Sequence, residues 1–289
     1  MAETEEYLAP RTLEEVTRLL AERDATVHAG GTDILPRWLR GLVPRPRTVV
    51  SLKGIDSLKG VSRANGEIRV GACTLMSEVH SDPVIRSSAA VLGQAAGRVA
   101  CPQIRNRATI GGNLCNASPA ADTAVPLILL DASVDLASFQ AGSVAVRQVL
   151  IIDFFRGPGA TVLEPGEILI RIRFKPLPEG VFAAWDKFGT RPAMEIAVAS
   201  VGVGLRVEGG KVVHARVAYG SVAPVPLRGR KAEAELVGRR LSPAVIEKCE
   251  AAARDEIKPI TDVRASEAYR REVVGVMLRR MLENARHIQ

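Results

Sequence analysis

Two short glycine-bearing segments hold most of the chemistry this sequence can do: Val27-His28-Ala29-Gly30-Gly31-Thr32-Asp33, running on to Ile34, and Ala108-Thr109-Ile110-Gly111-Gly112-Asn113. A glycine pair removes two Cβ atoms, so backbone N–H groups can approach an anion closely, and successive amides form a concave nest suited to a pyrophosphate. Thr32 and Thr109 each add a hydroxyl able to make a further hydrogen bond. The alternative for either segment by itself is a tight turn with no ligand. Neither matches G-x-G-x-x-G or G-x-x-x-x-G-K-[ST], which argues against a Rossmann nucleotide site and a P-loop.

The other reactive side chains form no recognisable set. His28, His80, His214 and His287 stand isolated and read as surface or structural, and no Ser/His/Asp or Cys/His signature is present. Glu14 and Glu15 are neighbours on an expected helix face and serve to solvate it. Cys73, Cys101, Cys115 and Cys249 lie far apart without a Cys-x-x-Cys pair, so no zinc or iron–sulfur site is expected. The net charge is +7, but with aromatics at only 4% and no nucleic-acid module, nucleic-acid binding is not the favoured use of it. Arg37, Arg40, Arg45 and Arg47 form one loose basic group and Arg270, Arg271, Arg279 and Arg280 another; they read as solvated surface, or as attraction for a dianionic cofactor or an acidic partner. No apolar run approaches the ~20 residues of a membrane span, and the acidic start is unlike a signal peptide, so a cytoplasmic protein is expected.

The elements that must position the glycine segments follow from capping and periodicity. Thr12 and Glu15 form a capping-box pattern ahead of Leu13, Val16, Leu19 and Leu20, which predicts a first helix of about three turns. Strands are expected at 25–29, leading into the first glycine pair, and at 47–52, giving a small α/β lobe. A strand over 66–72 and one packed helix over 84–100, started by Asp82-Pro83, come next. Residues 103–107 read as a basic connection and 109–113 as a loop too rich in glycine for a helix; Asp122 is placed to cap a helix over 123–131. Ile168, Ile170, Ile172 and Phe174 predict one buried face of a strand, and Pro176, Pro178 and Gly180 a domain boundary near 175–180. Beyond it, strands at 198–207 and 211–219 meet at Glu208-Gly209-Gly210, a hairpin signal, and are followed by helices starting at Ser242-Pro243 and Ser266. Val273, Val276, Met277 and Met281 mark the expected face of the last helix.

Taken with Gln103-Ile104-Arg105-Asn106-Arg107 before the second glycine pair, Ala117-Ser118-Pro119-Ala120-Ala121-Asp122 after it and Lys187-Phe188-Gly189-Thr190-Arg191-Pro192-Ala193-Met194-Glu195-Ile196-Ala197 further on, the two segments strongly resemble the flavin subunit family of molybdenum hydroxylases. That family includes the FAD domain of xanthine dehydrogenase and the medium subunits of carbon monoxide dehydrogenase, nicotinate dehydrogenase and hydroxybenzoyl-CoA reductase. The resemblance runs over nearly the whole chain in order. It implies an α+β protein: a two-lobed FAD-binding domain of the vanillyl-alcohol-oxidase-like type over 1–176, with lobes near 1–53 and 54–176, and a smaller α+β domain over 177–289.

It also implies roles. Residues 27–34 and 108–113 would hold the FAD pyrophosphate, Val99 and Ala100 would contact the cofactor, and Ser118 and Asp122 match the polar positions beyond the second turn. Asp122 would accept a hydrogen bond from the flavin or cap a helix. Ile168 and Leu169 would line the flavin. Lys187 would sit near the ring and tune the flavin or its acceptor, or be an ordinary surface lysine in a salt bridge. No cysteine-bearing insertion for an extra four-iron cluster is present, so no metal is expected in this chain. The implied partners are a molybdopterin-containing large subunit and a small subunit with two two-iron clusters, with NAD or a quinone as acceptor. Thr32-Asp33 and Ala117-Ser118-Pro119 place the chain nearer the xanthine and aromatic-substrate branch than carbon monoxide dehydrogenase. The competing readings are a stand-alone FAD oxidoreductase, and a flavin-less scaffold or nucleic-acid binder.

Overall fold

The computed structural model describes residues 4–191 and 193–288; Pro192, within the family-like segment, lies outside them. The first lobe carries a small all-parallel sheet in which Thr48–Ser51 lies between Glu6–Leu8 and Thr26–His28. The outer strand Glu6–Leu8 leaves no trace in the sequence, because three residues with Tyr7 59% exposed show no alternation. Helix Leu13–Glu22 starts at the expected capping box: Thr12 Oγ1 accepts from Glu15 N at 3.1 Å, and Glu15 accepts from Thr12 N at 3.2 Å. Such a cap contributes about 1 kcal/mol.

The second lobe is built on a five-stranded antiparallel sheet in the order Val61–Ala64, Glu67–Gly71, Ile168–Phe174, Ser133–Gln140, Ser143–Leu150. Its central strand does not keep one buried face, as the isoleucine alternation predicts. A register shift between Leu169 and Arg171 switches it: Ile168 and Ile170 pack with Val16 and Val50 of the first lobe, whereas Leu169, Ile172 and Phe174 join the helical core with Met76, Leu92 and Leu127. One strand therefore joins two cores, and the lobes meet along its start. Arg171 and Arg173, further on, lie beside Asp135 at 3.5 and 3.6 Å.

The stretch 84–100 is not one helix. Asp82 caps Pro83–Ser88 with bonds to Val84 N and Ile85 N, Ala89 leaves helical geometry at φ −153°, ψ 49°, and a second helix covers Ala90–Gly97. The Ser88 carbonyl, freed by this break, accepts from Leu177 N at 3.0 Å and ties the helices to the chain leaving the central strand. A further helix, Met76–Ser81, precedes them, and the basic connection contains the short helix Pro102–Arg105.

The last part is the expected strands-then-helices unit. Phe182–Phe188, Ala199–Glu208, Lys211–Gly220 and Leu227–Arg228 form an antiparallel sheet, with Gly209 and Gly210 at φ 56° and 75° making the tight hairpin. Ser242 caps Pro243–Glu256 and Ser266 caps Glu267–Ala285. The last helix buries Val274, Leu278, Met281 and Leu282; of the expected face Met281 is buried and Val273 and Met277 pack partly buried against the same core, so the face is rotated and not replaced. Gly275 explains the shift: a Cβ there would lie 2.7 Å from Arg254 Nε and 3.0 Å from Glu250 Cγ, so the helices approach most closely beside Val274. Helix Ala124–Leu129 seats on this sheet at Gly202, where a Cβ would meet Leu129 and Val125 at 2.7 and 2.9 Å. That contact fixes the C-terminal unit to the second lobe.

Candidate functional site

The two glycine segments touch. A Cβ on Gly30 would lie 2.1 Å from the Arg107 carbonyl oxygen, so only glycine allows this backbone contact. Between and beside the segments opens a cleft of about 390 Å³, lined by all of 27–34, by Ala108, Thr109, Gly112 and Asn113, and by Val99. An adjoining cavity of about 240 Å³ shares Val27, Ala29 and Gly112 with it and is lined by Gly111, Ile168 and Leu169. Most of the residues proposed from the sequence thus converge from four separated stretches. Such a concave site, with polar backbone on one side and apolar walls on the other, suits a nucleotide cofactor.

The first segment is an open turn. Strand Thr26–His28 ends at it and helix Ile34–Leu39 begins after it, with Gly31 at φ 74°. Among the described residues, the amides of Gly31, Thr32 and Asp33 donate to no backbone or side-chain acceptor. His28, beneath the turn, is 7% exposed, and its Nε2 lies 3.3 Å from the Tyr7 hydroxyl. Burial, then the nearby Lys53, and more weakly Arg107, hold its pKa below the ordinary imidazole value, so it is neutral at pH 7.

The second segment is not the loop expected from its glycines. Residues Ile110–Cys115 are helical, with Thr109 as N-cap. The cause is tertiary: Ile110 N donates to Thr74 O at 3.0 Å, Gly111 N to Ala72 O at 2.8 Å, and Gly112 N to Thr109 Oγ1 at 3.1 Å. These bonds outweigh the poor helix propensity of two glycines, roughly 1 kcal/mol each. A Cβ on Gly111 would stand 2.7 Å from Ala72 O, so this glycine serves close packing; one on Gly112 would meet only Thr109 Oγ1, at 2.9 Å.

Ala100, Ser118, Asp122 and Lys187 do not line the cleft. Ala100, at φ 44°, accepts from Met194 N at 3.3 Å, and Ser118 closes a local turn onto Ala120 N at 3.2 Å. Asp122 does not cap the helix that follows it, and Lys187 is no surface lysine: its side chain is 3% exposed, and Nζ donates to Asp122 Oδ2 and to Arg98 O, both at 2.8 Å. Burial raises the Asp122 pKa against the pull of Lys187, and its Oδ1 has no partner among the described residues. The pair stands one layer behind the cleft. Arg98 precedes Val99, and Thr123 next to Asp122 donates to Asn113 Oδ1 at 2.6 Å.

Of the loose basic group read from the sequence, Arg37 lines the cleft, one helical turn beyond Asp33 and 3.5 Å from it; Cys115 and Asn116 escaped that reading and became lining residues only because the second segment is helical. Burial pushes the Cys73 and Cys115 thiols up to about 11 and about 12, so neither is a thiolate at neutral pH. Among the described residues no group of His, Cys, Asp and Glu could hold a metal ion.

A two-lobed α+β unit with an anion-suited cleft at the lobe junction, carrying a second α+β unit, has the architecture of a nucleotide-cofactor-binding subunit. The family profile described as FAD binding domain in molybdopterin dehydrogenase matches residues 2–177, and that described as CO dehydrogenase flavoprotein C-terminal domain matches residues 184–285. The chain is 33% identical over 282 residues to a xanthine dehydrogenase FAD-binding subunit of Escherichia coli O157:H7, covering 96% of this chain and 95% of that one. A carbon monoxide dehydrogenase structure from Hydrogenophaga pseudoflava superposes with TM-score 0.93 at 30% identity over 100% of this chain and 99% of its own. Quinoline 2-oxidoreductase from Pseudomonas putida 86 gives 0.91 at 30%, covering 99% of each chain. The chain belongs to the FAD-binding subunit family of molybdenum hydroxylases. No described helix is long and apolar enough to cross a membrane.

Proposed function

We propose that the chain carries electrons from iron–sulfur clusters of a small partner subunit to an external acceptor, NAD or a quinone, while a molybdopterin-containing large subunit performs the hydroxylation. The observation that carries this reading is the cleft at the glycine segments, whose first turn presents three amides unengaged among the described residues. FAD, when bound, supplies a store for two electrons that can be exchanged singly or as a pair.

The chain's own part is to bind and orient. Gly31, Thr32 and Asp33 would donate to the pyrophosphate through their amides, with the Thr32 hydroxyl beside them. Val99 and the cavity at Ile168 and Leu169 would exclude water from the cofactor's apolar surfaces. The Lys187–Asp122 pair would hold the wall formed by residues 98–99 and 113, and so position the ring without touching it. The sequence Thr32-Asp33 supports the xanthine and aromatic-substrate branch. Purified alone, the chain should carry FAD and hydroxylate nothing; purified with an iron–sulfur subunit and a molybdopterin subunit, it should complete an acceptor-linked dehydrogenase. Hydroxylation by the isolated, metal-free chain would refute the division of labour.

A further inference from the structure

The hydrogen bonds of the second glycine segment leave a charge problem. A pyrophosphate in the cleft brings negative charge beside amides of which three, those of Ile110, Gly111 and Gly112, are already spent within the chain. The three free amides of the first turn supply partial charges only. Arg37, the cation lining the cleft itself, lies 3.5 Å from Asp33, which offsets it.

Positive charge is present on the other side of the touching turns. A cavity of about 350 Å³ shares Ala29, Gly30 and Thr109 with the cleft and is lined by Lys53, Lys59 and Arg107. Lys59 is paired with Asp56 at 2.8 Å, but among the described residues neither Lys53 nor Arg107 has a carboxylate within ion-pair distance. Glu78, the carboxylate of this cavity, accepts from Leu75 N at 2.9 Å. Lys53 and Arg107 also reach the cleft electrically: both disfavour a charge on His28, which lines it. Unpaired cations held together repel one another, and an anion nearby relieves that repulsion.

We infer that Lys53 and Arg107 provide the counter-charge that retains the pyrophosphate of FAD, acting through the contact between Gly30 and residue 107. This rests on the cofactor reading above and adds to it two binding residues outside the glycine segments. Both side chains are exposed, so replacing them should leave the fold intact.

The test is FAD titration of the full chain after flavin removal, followed by flavin fluorescence from low to high NaCl. Wild type is compared with Lys53→Gln, Arg107→Gln, the double variant, Lys53→Arg as charge-conserving rescue, and Lys248→Gln as a remote control. Each lost charge should weaken binding roughly tenfold at low salt, the scale of a charge pair at intermediate dielectric. The wild-type dissociation constant should rise with salt, and the double variant should lose most of that rise, because its screened attraction is gone. Lys53→Arg and Lys248→Gln should bind as wild type. Matching thermal melts of the apo proteins would confirm intact folds, and each single variant is scored on its own. A double variant with wild-type affinity and wild-type salt dependence would overturn the inference and leave the cofactor reading standing. A folded wild type that takes up no FAD would instead overturn the cofactor reading, and this inference with it.

Discussion

The two glycine segments look alike in sequence and differ in what their backbone can do. Ala29-Gly30-Gly31-Thr32-Asp33 stays an open turn with three amides to offer, whereas Ile110-Gly111-Gly112 is the first turn of a helix whose amides are bonded to Thr74, Ala72 and Thr109. A Gly-Gly-containing motif is therefore not a binding nest until its donors are accounted for. The first segment is the one proposed to supply the binding amides. The second is the wall that the first one packs on, through Gly30 against the Arg107 carbonyl.

The largest effect that separates the two is expected at the contact itself. Gly30→Val must move backbone on both sides of a 2.1 Å approach, and should destabilise the lobe junction by about 3 kcal/mol or more and release the flavin. Gly112→Ala, which meets only the Thr109 hydroxyl, should stay within about 1 kcal/mol of wild type. Thermal melts that rank these variants equally would erase the distinction.

The support behind the second segment comes next. Lys187→Met strands the Asp122 carboxylate in its buried site and should cost about 3 kcal/mol, with flavin content following the folded fraction. The sign of the pH dependence is fixed. Burial already holds the Asp122 pKa above its ordinary value, and losing Lys187 raises it further, so the folded variant binds more protons than the unfolded chain. Its deficit should shrink as pH falls through that raised value and be full above it. Denaturant melts of variant and wild type across the acid range read this directly; a deficit that grows on acidification would contradict it.

The smallest effect is at the cap. Thr109→Ala removes the acceptor for Gly112 N and should cost about 1 kcal/mol in a denaturant melt while lowering FAD affinity only slightly. Thr109→Ala losing FAD outright, with its fold kept, would make the second segment as much a binding element as the first.

The sequence carried the elements whose signals are local. The capping box at Thr12, the hairpin at Gly209-Gly210 and the helix starts at Ser242 and Ser266 all stand where their residues place them, because caps and tight turns are short-range chemistry. Features set by distant partners were not legible. The helix Ile110–Cys115 depends on carbonyls near residue 72, the face switch at Leu169 on two cores meeting one strand, and the burial of Lys187 on an aspartate 65 residues away. For the site, the glycine segments were found from residue types, and the lining by Val99, Ile168 and Leu169 from the family resemblance alone. The cations Lys53 and Arg107 were missed because only folding brings them to one cavity.

The claim that the first turn is the FAD-binding element is tested most directly by flavin stoichiometry in the chain purified alone, wild type against Gly31→Val. Gly31 is at φ 74° and lines the cleft, so a valine there distorts the amide donors. The account predicts one FAD per wild-type chain and none in the variant, whose melt still shows a folded protein. One FAD per chain in both proteins would contradict it.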